Sequence, residues 1–178
     1  MTPGEIKALV RTVPDFPAPG ILFRDITTLI AHREGLSATL DHLAGAARTR
    51  GARAVAGLEA RGFIFGAMLA ARLGLGFVPI RKAGKLPVPT IGVDYALEYG
   101  SARLELDPTL IDDGEPVLLV DDLLATGGTA LAGAELLRRA GAVVEHALFV
   151  IDLHELGGAE ALRAASARWS SVAESPSR

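Results

Sequence analysis

The sequence predicts an α/β protein in which helices cover both faces of a mostly parallel, twisted sheet. Short apolar segments typical of buried strands occur at residues 54–58, 75–80, 117–120 and 143–151. Segments with helical periodicity lie between or after them, at residues 62–73, 129–140 and 158–165. Strands and helices that alternate in this way form parallel sheets covered on both faces.

The first fifty residues precede this alternation. Thr2-Pro3-Gly4-Glu5 has the form of a capping box with proline at the first helical position, which predicts a short peripheral helix to about Val13. Three prolines between Pro14 and Gly20 predict an ordered loop, because proline lacks an N–H donor and biases its predecessor toward extended backbone. Apolar residues at helical spacing predict a helix over residues 33–50.

Residues 81–100 separate the second and third apolar segments of the sheet. They contain Pro87, Pro89 and three glycines, which predicts a long irregular stretch. A loop of this length is uncommon in a compact domain unless it is functional, so we expect a mobile lid. Residues 101–106 then alternate polar and apolar side chains, which predicts a half-exposed antiparallel edge strand.

Length and composition indicate a single domain over residues 1–178. The chain is 49% hydrophobic and 22% charged, with a formal net charge of −3, which is ordinary for a globular protein and does not suggest a nucleic-acid partner. It lacks an apolar stretch of membrane-spanning length and a signal-peptide pattern, so we expect a cytoplasmic protein with no membrane partner. There is no cysteine, and the four histidines lack metal-ligand spacing.

The segment Val117–Thr129, VLLVDDLLATGGT, contains the strongest functional signal. A buried strand leads into Asp121 and Asp122, and a glycine-rich turn then opens a helix. Five residues in this turn could hold one phosphate through backbone N–H groups, hydroxyls and the positive end of the helix. They are Ala125, Thr126, Gly127, Gly128 and Thr129. Carboxylates repel phosphate but accept hydrogen bonds from paired hydroxyls, so the two acids would suit a ribose.

Simpler interpretations of this segment exist. Two glycines after a strand often form only a tight turn, threonine is a common N-cap, and acids at a strand end are usually solvated. A P-loop is excluded because no lysine follows Lys85, and the dinucleotide fingerprint GxGxxG is absent here. The ordered combination favours a ribose 5-phosphate site.

The block DDLLATGGT resembles the phosphoribosyl-pyrophosphate (PRPP) motif of the type I phosphoribosyltransferases. The resemblance implies that fold, with the 5-phosphate at residues 125–129 and the ribose hydroxyls at Asp121 and Asp122. Glu59, Arg81 and Asp121 follow predicted strands, at the edge where parallel sheets bind ligands.

Two further segments carry positive charge toward this edge. In GLEARGF, residues 57–63, Arg61 could bind pyrophosphate, or it could only form a surface pair with Glu59. In RKAGK, residues 81–85, three cations could form a solvated turn. Beside a predicted polyanion site, we expect Arg61, Arg81, Lys82 and Lys85 to contact pyrophosphate. The family resemblance also implies a non-proline cis peptide before Ala60.

The PRPP motif does not identify the base that accepts the ribose. Four other segments, PAPGILFRDIT, GLEARGFIFG, FVPIRKAGKLP and DYALEYG, resemble the adenine phosphoribosyltransferases within this family. The resemblance implies a hood at residues 14–31, with Phe23 stacked on adenine and the backbone near Leu22 and Arg24 reading its edge. A buried core position is the alternative for Phe23. It also implies that Glu98 is the lid carboxylate that relays a purine proton, with Tyr99 nearby.

These observations predict transfer of the 5-phosphoribosyl group from PRPP to adenine, which gives AMP and pyrophosphate. Mg²⁺ would bind with PRPP rather than in a protein cage, and the family implies a homodimer. Two alternatives remain open: a transferase for another purine base, and a regulator that senses PRPP without reacting. The net charge and Glu98 argue against the regulator.

Overall fold

The computed structural model describes residues 1–97 and 100–174 of the chain. Its helices are α1 (Pro3–Ala8), α2 (Thr27–Ala31), α3 (Arg33–Ala47), α4 (Arg61–Leu73), α5 (Gly128–Arg139) and α6 (Gly158–Ala164). Its strands are β1 (Arg11–Pro14), β2 (Leu22–Asp25), β3 (Ala54–Leu58), β4 (Gly76–Lys82), β5 (Ile91–Leu97), β6 (Gly100–Leu106), β7 (Val117–Leu124), β8 (His146–Asp152) and β9 (Arg168–Glu174).

The main sheet of the described chain has seven strands in the order β5-β6-β4-β3-β7-β8-β9. Strands β4, β3, β7, β8 and β9 run parallel to one another. β6 pairs antiparallel with β4, and β5 pairs antiparallel with β6. The predicted fold class, a mostly parallel sheet with helices on both faces, is therefore confirmed.

Alternate residues of the central strands enter two separate cores. Val117 and Leu119 of β7 pack in one cluster, with Leu137 of α5, whereas Leu118 and Val120 pack in the other. The second core also contains residues of α3 and α4. This separation follows from the two-residue side-chain period of a strand, and it places α4 and α5 on opposite faces of the sheet.

The N-terminal helix is shorter than predicted. The capping box is present, since Thr2 Oγ1 accepts from Glu5 N at 3.3 Å and Glu5 Oε2 accepts from Thr2 N at 2.7 Å. Helix α1 ends at Ala8, however, and the expectation of a helix to Val13 is wrong. Residues 11–14 instead form β1, which pairs antiparallel with β2. Thr12 and Val13 are β-branched and prefer this extended conformation.

The prediction of irregular structure over residues 81–100 is wrong for much of that range. Strand β4 continues to Lys82, and β5 pairs along its whole length with β6. β5 is therefore the edge strand, and β6 lies inside the sheet rather than at its edge. Val93 and Tyr95, two residues apart, both pack against the first core. This two-residue period is typical of a strand, but the prolines and glycines around it obscured the pattern.

Several boundaries also differ from those predicted. β7 extends past Val120 through both acids to Leu124, and β8 begins at His146 rather than at Val143. The C-terminal segment forms β9, parallel to β8. No helix within the described residues is long and apolar enough to cross a membrane.

Candidate active site

The structure brings the predicted strand-end residues to one edge of the sheet. In the parallel register, Leu58 of β3 pairs with Ile80 of β4, and Gly57 pairs with Val120 of β7. Glu59 therefore follows the end of β3, and Arg81 and Asp121 lie at the same level on the two flanking strands. Helix α4 leaves β3 on one face of the sheet and α5 leaves β7 on the other, and this divergence opens a crevice between them.

A cavity of about 210 Å³ occupies this crevice. It is lined by Arg61 and by residues 121–130, so the whole predicted phosphate turn, Ala125 to Thr129, borders it. Gly127 has φ of +85°, a left-handed conformation that glycine adopts without strain, and α5 begins at the next residue. The turn thus places backbone N–H groups and two threonines at the positive end of a twelve-residue helix.

Helix α6 packs closely against the phosphate turn. A Cβ atom on Gly127 would lie 3.2 Å from both Ala161 Cβ and Gly158 O, and a Cβ atom on Gly158 would overlap Ala125 O. The sequence predicted a helix here but not its contact with the turn. The glycine pair Gly157-Gly158 was the available signal, because glycine often marks a close backbone approach.

Asp121 and Asp122 form the acidic wall of the cavity. Asp121 is half-buried and its Oδ1 accepts from Asp122 N at 2.9 Å, while the Asp122 side chain is buried. Burial and the neighbouring Asp122 charge raise the pKa of Asp121 well above its usual value, although Arg61 opposes this shift. Burial also raises the pKa of Asp122, again against Arg61. Both carboxylates therefore depend on nearby positive charge or hydroxyl donors to remain ionised.

Arg61 supplies that charge. It is the first residue of α4, and its Nε lies 3.0 Å from Asp122 Oδ2, an ion pair that lacks the angle of a hydrogen bond. Its guanidinium carbon lies 5.5 Å from the centroid of the Phe23 ring. Arg61 thus connects the acidic pair with the predicted base site. The peptide between Glu59 and Ala60 is cis, as the resemblance implied.

Glu59 pairs with Arg81 rather than with Arg61, the partner suggested for a simple surface pair. Glu59 Oε2 accepts from Arg81 Nε at 3.0 Å and from Lys82 N at 2.8 Å. The hydrogen bond from Arg81 is the main cause that lowers the pKa of Glu59. The side chains of Lys82 and Lys85 are exposed. Neither forms an ion pair with the described residues.

The predicted base site lies on the two-stranded sheet of β1 and β2. Phe23 is half-buried and belongs to neither core cluster, so the alternative of a simple core position is wrong. Phe16 meets the Phe23 ring edge-on, with centroids 5.1 Å apart and planes at 75°. Leu22 and Arg24 flank Phe23 along β2, and Arg24 Nη1 donates to Thr12 Oγ1. The sequence did not single out Phe16.

The remaining predicted site residues, Glu98 and Tyr99, lie outside the described residues. The strand that precedes them, β5, is close to the phosphate turn, since a Cβ atom on Gly128 would lie 3.7 Å from Ala96 O.

Comparison with known proteins agrees with this geometry. Residues 29–163 match the phosphoribosyl transferase domain. A protein of Novosphingobium aromaticivorans named adenine phosphoribosyltransferase is 74% identical over 165 residues, 93% of each chain. One of the same name from Erythrobacter litoralis is 71% identical over 163 residues, 92% of each chain.

Solved structures give the same result. The adenine phosphoribosyltransferase of Thermoanaerobacter pseudethanolicus superposes with a TM-score of 0.94 at 42% identity, covering 98% of this chain and 100% of that one. The enzyme of Saccharomyces cerevisiae, solved with adenine and an imino-altritol bisphosphate, gives 0.88 at 37% identity and covers 96% and 97%. The chain therefore belongs to the phosphoribosyl transferase family, within the branch of the adenine phosphoribosyltransferases.

Proposed function

We propose that this chain transfers the 5-phosphoribosyl group of PRPP to adenine and releases pyrophosphate. The observation that carries the proposal is the cavity lined by the phosphate turn, the two aspartates and Arg61. Arg61 pairs with Asp122 and lies over the ring of Phe23. These groups match the three parts of the reaction: a 5-phosphate, ribose hydroxyls and a planar base. The names of the relatives support adenine as that base.

The donor sugar would lie along the floor of the cavity. Residues Ala125 to Thr129 would hold the 5-phosphate at the helix N-terminus. Asp121 and Asp122 would accept hydrogen bonds from the ribose hydroxyls, and their negative charge would stabilise the positive character that develops on the ribose as pyrophosphate leaves. Fixing both ends of the sugar would position its anomeric carbon for attack by the base.

Pyrophosphate would lie toward the ends of β3 and β4. Four cationic side chains would neutralise the pyrophosphate: Arg61, Arg81, Lys82 and Lys85. Among the described residues, the cavity lining contributes two carboxylates, too few for an all-protein metal cage. This donor set fits Mg²⁺ that is held mainly by PRPP oxygens. Mg²⁺ would supply the rest of the charge neutralisation when PRPP is bound.

Adenine would stack on Phe23, with the backbone of Leu22 and Arg24 at its edge. The resemblance assigns Glu98 to proton relay from the purine and places Tyr99 nearby. Residues 81–100, which contain strand β5, would act as the lid that excludes water during transfer. On the basis of the same family resemblance, we also propose that the protein is cytoplasmic and forms a homodimer.

The test is a pyrophosphate-release assay with the pure chain, PRPP and Mg²⁺. Adenine, hypoxanthine, guanine, uracil and orotate are offered separately. We expect release with adenine to exceed release with the other bases by about a hundred-fold or more, because a site that hydrogen-bonds one base edge leaves polar groups unpaired with another. Faster release with hypoxanthine or guanine would favour the other-purine alternative. Binding of PRPP without release for any base would favour the regulator.

A further inference from the structure

The basic turn, residues 82–85, connects β4 to the segment that leads to β5. Lys82 is the last residue of β4, and Gly84 has φ of +71°, a left-handed conformation that favours glycine. All four residues of the turn are exposed. The proposed function places Lys82 and Lys85 against pyrophosphate, so their position depends on contacts made outside the two cores.

Glu105 of β6 makes such a contact. Its Oε2 accepts a hydrogen bond from Gly84 N at 2.9 Å, and its Oε1 accepts one from Arg103 Nε at 3.2 Å. The Glu105 side chain is only 15% exposed, although it lies on the face of β6 opposite the buried Leu104 and Leu106. Both of its oxygens have protein partners, so this carboxylate is not a solvated surface group.

Strand β6 provides a firm attachment for the basic turn, because it lies inside the sheet between β4 and β5. Ala83 N donates to Arg103 O at 3.2 Å, which continues the β4–β6 pairing past the end of β4. Glu105 then binds the next residue, Gly84, through its side chain. The attachment of the turn to β6 thus reaches the residue between the two lysines.

Arg103 fixes the orientation of Glu105 and joins it to β5. Its Nη1 donates to Asp94 Oδ2 at 3.0 Å, while its Nε donates to Glu105. Gly92 lies opposite Glu105 on β5 and leaves room for this arrangement, since a Cβ atom there would lie 2.5 Å from Arg103 Cζ. A planar guanidinium bound to two carboxylates limits the rotation of both.

The charge of Glu105 cannot itself favour an anion beside the basic turn. A carboxylate repels pyrophosphate, and Arg103 offsets this repulsion only in part. What Glu105 can contribute is the position of the turn. Position and charge lead to different expectations, because a neutral side chain of the same shape would keep the hydrogen bond to Gly84 N and remove the repulsion.

We propose that Glu105 is a positioning residue for pyrophosphate, which holds the basic turn in place through Gly84 N and is itself held by Arg103. The inference rests on the proposed function, in which Lys82 and Lys85 contact pyrophosphate. Glu105 acts through the turn and touches no substrate. A turn that is fixed before binding loses less conformational entropy when pyrophosphate binds, and this raises the affinity.

The experiment compares E105A and E105Q with the wild type, each as the full chain. Isothermal titration calorimetry measures the binding of pyrophosphate in the presence of Mg²⁺. Steady-state kinetics give the KM for PRPP and, at saturating PRPP, the KM for adenine. E105Q keeps an acceptor oxygen for Gly84 N, whereas E105A keeps none.

The matched control is E115A. Glu115 Oε2 also accepts from a backbone N–H group, that of Asp112, at 3.1 Å. Glu115 precedes β7, at the end of the sheet opposite the basic turn. The same chemical change is therefore made far from the proposed pyrophosphate site.

We expect E105A to raise both the Kd of pyrophosphate and the KM for PRPP by about ten-fold, and to change the KM for adenine by less than about two-fold. E105Q should stay within about three-fold of the wild type, and E115A within about two-fold. Binding of pyrophosphate to E105A as tightly as to the wild type, or equal weakening in E105A and E105Q, would overturn the proposal.

The calorimetric titration needs no turnover, which separates this inference from the proposed reaction. A wild type that binds pyrophosphate but transfers ribose 5-phosphate to none of the bases would contradict the proposed function alone. A wild type that does not bind pyrophosphate would overturn the role of Glu105.

Discussion

Arg61 is the residue on which the two halves of the candidate site depend. Its guanidinium lies against a buried carboxylate on one side and an aromatic ring on the other. Sequence patterns predicted Arg61 as a site residue, because its guanidinium lies at a strand-to-helix junction in a chain that also has a PRPP motif. They did not show that it faces Asp122 and Phe23, since those contacts join segments about 60 and 40 residues apart in the chain.

Substitution of Arg61 by lysine tests this role. Lysine retains the charge but lacks the planar group that lies over Phe23 and reaches Asp122. We therefore expect kcat/KM to fall by about ten- to a hundred-fold. The matched control is R72K, in the last turn of the same helix, where Arg72 pairs with Asp41 at the surface. Steady-state kinetics with adenine and PRPP provide the measurement. Similar values for R61K and R72K would contradict the assigned role.

His146 should make the stability of the protein depend on pH. Its folded pKa of about 4 lies below the ordinary value of 6.5, so the unfolded chain binds the proton first. The titration of His146 has no effect on the free energy of unfolding above about pH 6.5. As the pH decreases from 6.5 toward 4, this titration lowers the free energy of unfolding by up to about 3 kcal/mol. Asp121 and Asp122, with raised pKa values, act in the opposite direction.

The comparison of wild type with H146Q isolates this contribution. Urea unfolding at pH 7 and pH 4.5 in a phosphate-free buffer should show a larger loss of stability for the wild type than for the variant. Parallel pH profiles for the two proteins would refute the assignment.

At the scale of elements, α6 packs closely against the phosphate turn. Its contacts with Ala125 and Gly127 are backbone packing, which leaves little trace in a sequence beyond glycine itself. The strand β5 was missed for a related reason: Pro87, Pro89 and Gly92 outweighed the alternation of Ile91, Val93 and Tyr95. Pairing with β6 then decided the conformation, as tertiary context commonly does for short strands.

The packing of α6 predicts the effect of G158A. The added methyl group would overlap Ala125 O and displace the turn, so we expect the KM for PRPP to rise by about ten-fold with a smaller change in kcat. G45A is the control, because nothing lies within 4 Å of its new methyl group, and it should stabilise α3 by about 0.5–1 kcal/mol. An unchanged KM in G158A would show that the turn does not depend on α6.

At the scale of the whole molecule, the sheet was the most predictable feature. Its buried strands are continuous apolar runs, and the alternation with helices fixes their parallel direction. The location of the cavity follows from topology, since α4 and α5 leave adjacent strands toward opposite faces. The end of the chain was less predictable, because β9 mixes polar residues such as Ser170 and Ser171 with apolar ones and forms through pairing with β8.

Substrate binding should stabilise the whole domain only when the metal is present. At about a hundred times its dissociation constant, PRPP with Mg²⁺ should add about 2.7 kcal/mol and raise the midpoint of thermal unfolding by about 5–10 °C. A chelator should remove most of this shift if Mg²⁺ neutralises the bound pyrophosphate. A shift of the same size without the metal would contradict that role.

The sheet of β1 and β2 is separate from the seven-stranded sheet. It carries Phe23 and Phe16, the proposed surface for the base, while the phosphate turn and the acidic pair belong to the larger sheet. In the proposed reaction, the ring that would stack on the base and the groups that would hold the donor therefore lie on two sheets that, within the described residues, share no strand hydrogen bonds. Substitutions in β1 and β2 could therefore change the base that is accepted while the residues that would bind PRPP stay the same. These two strands are the starting point for redesign of base preference.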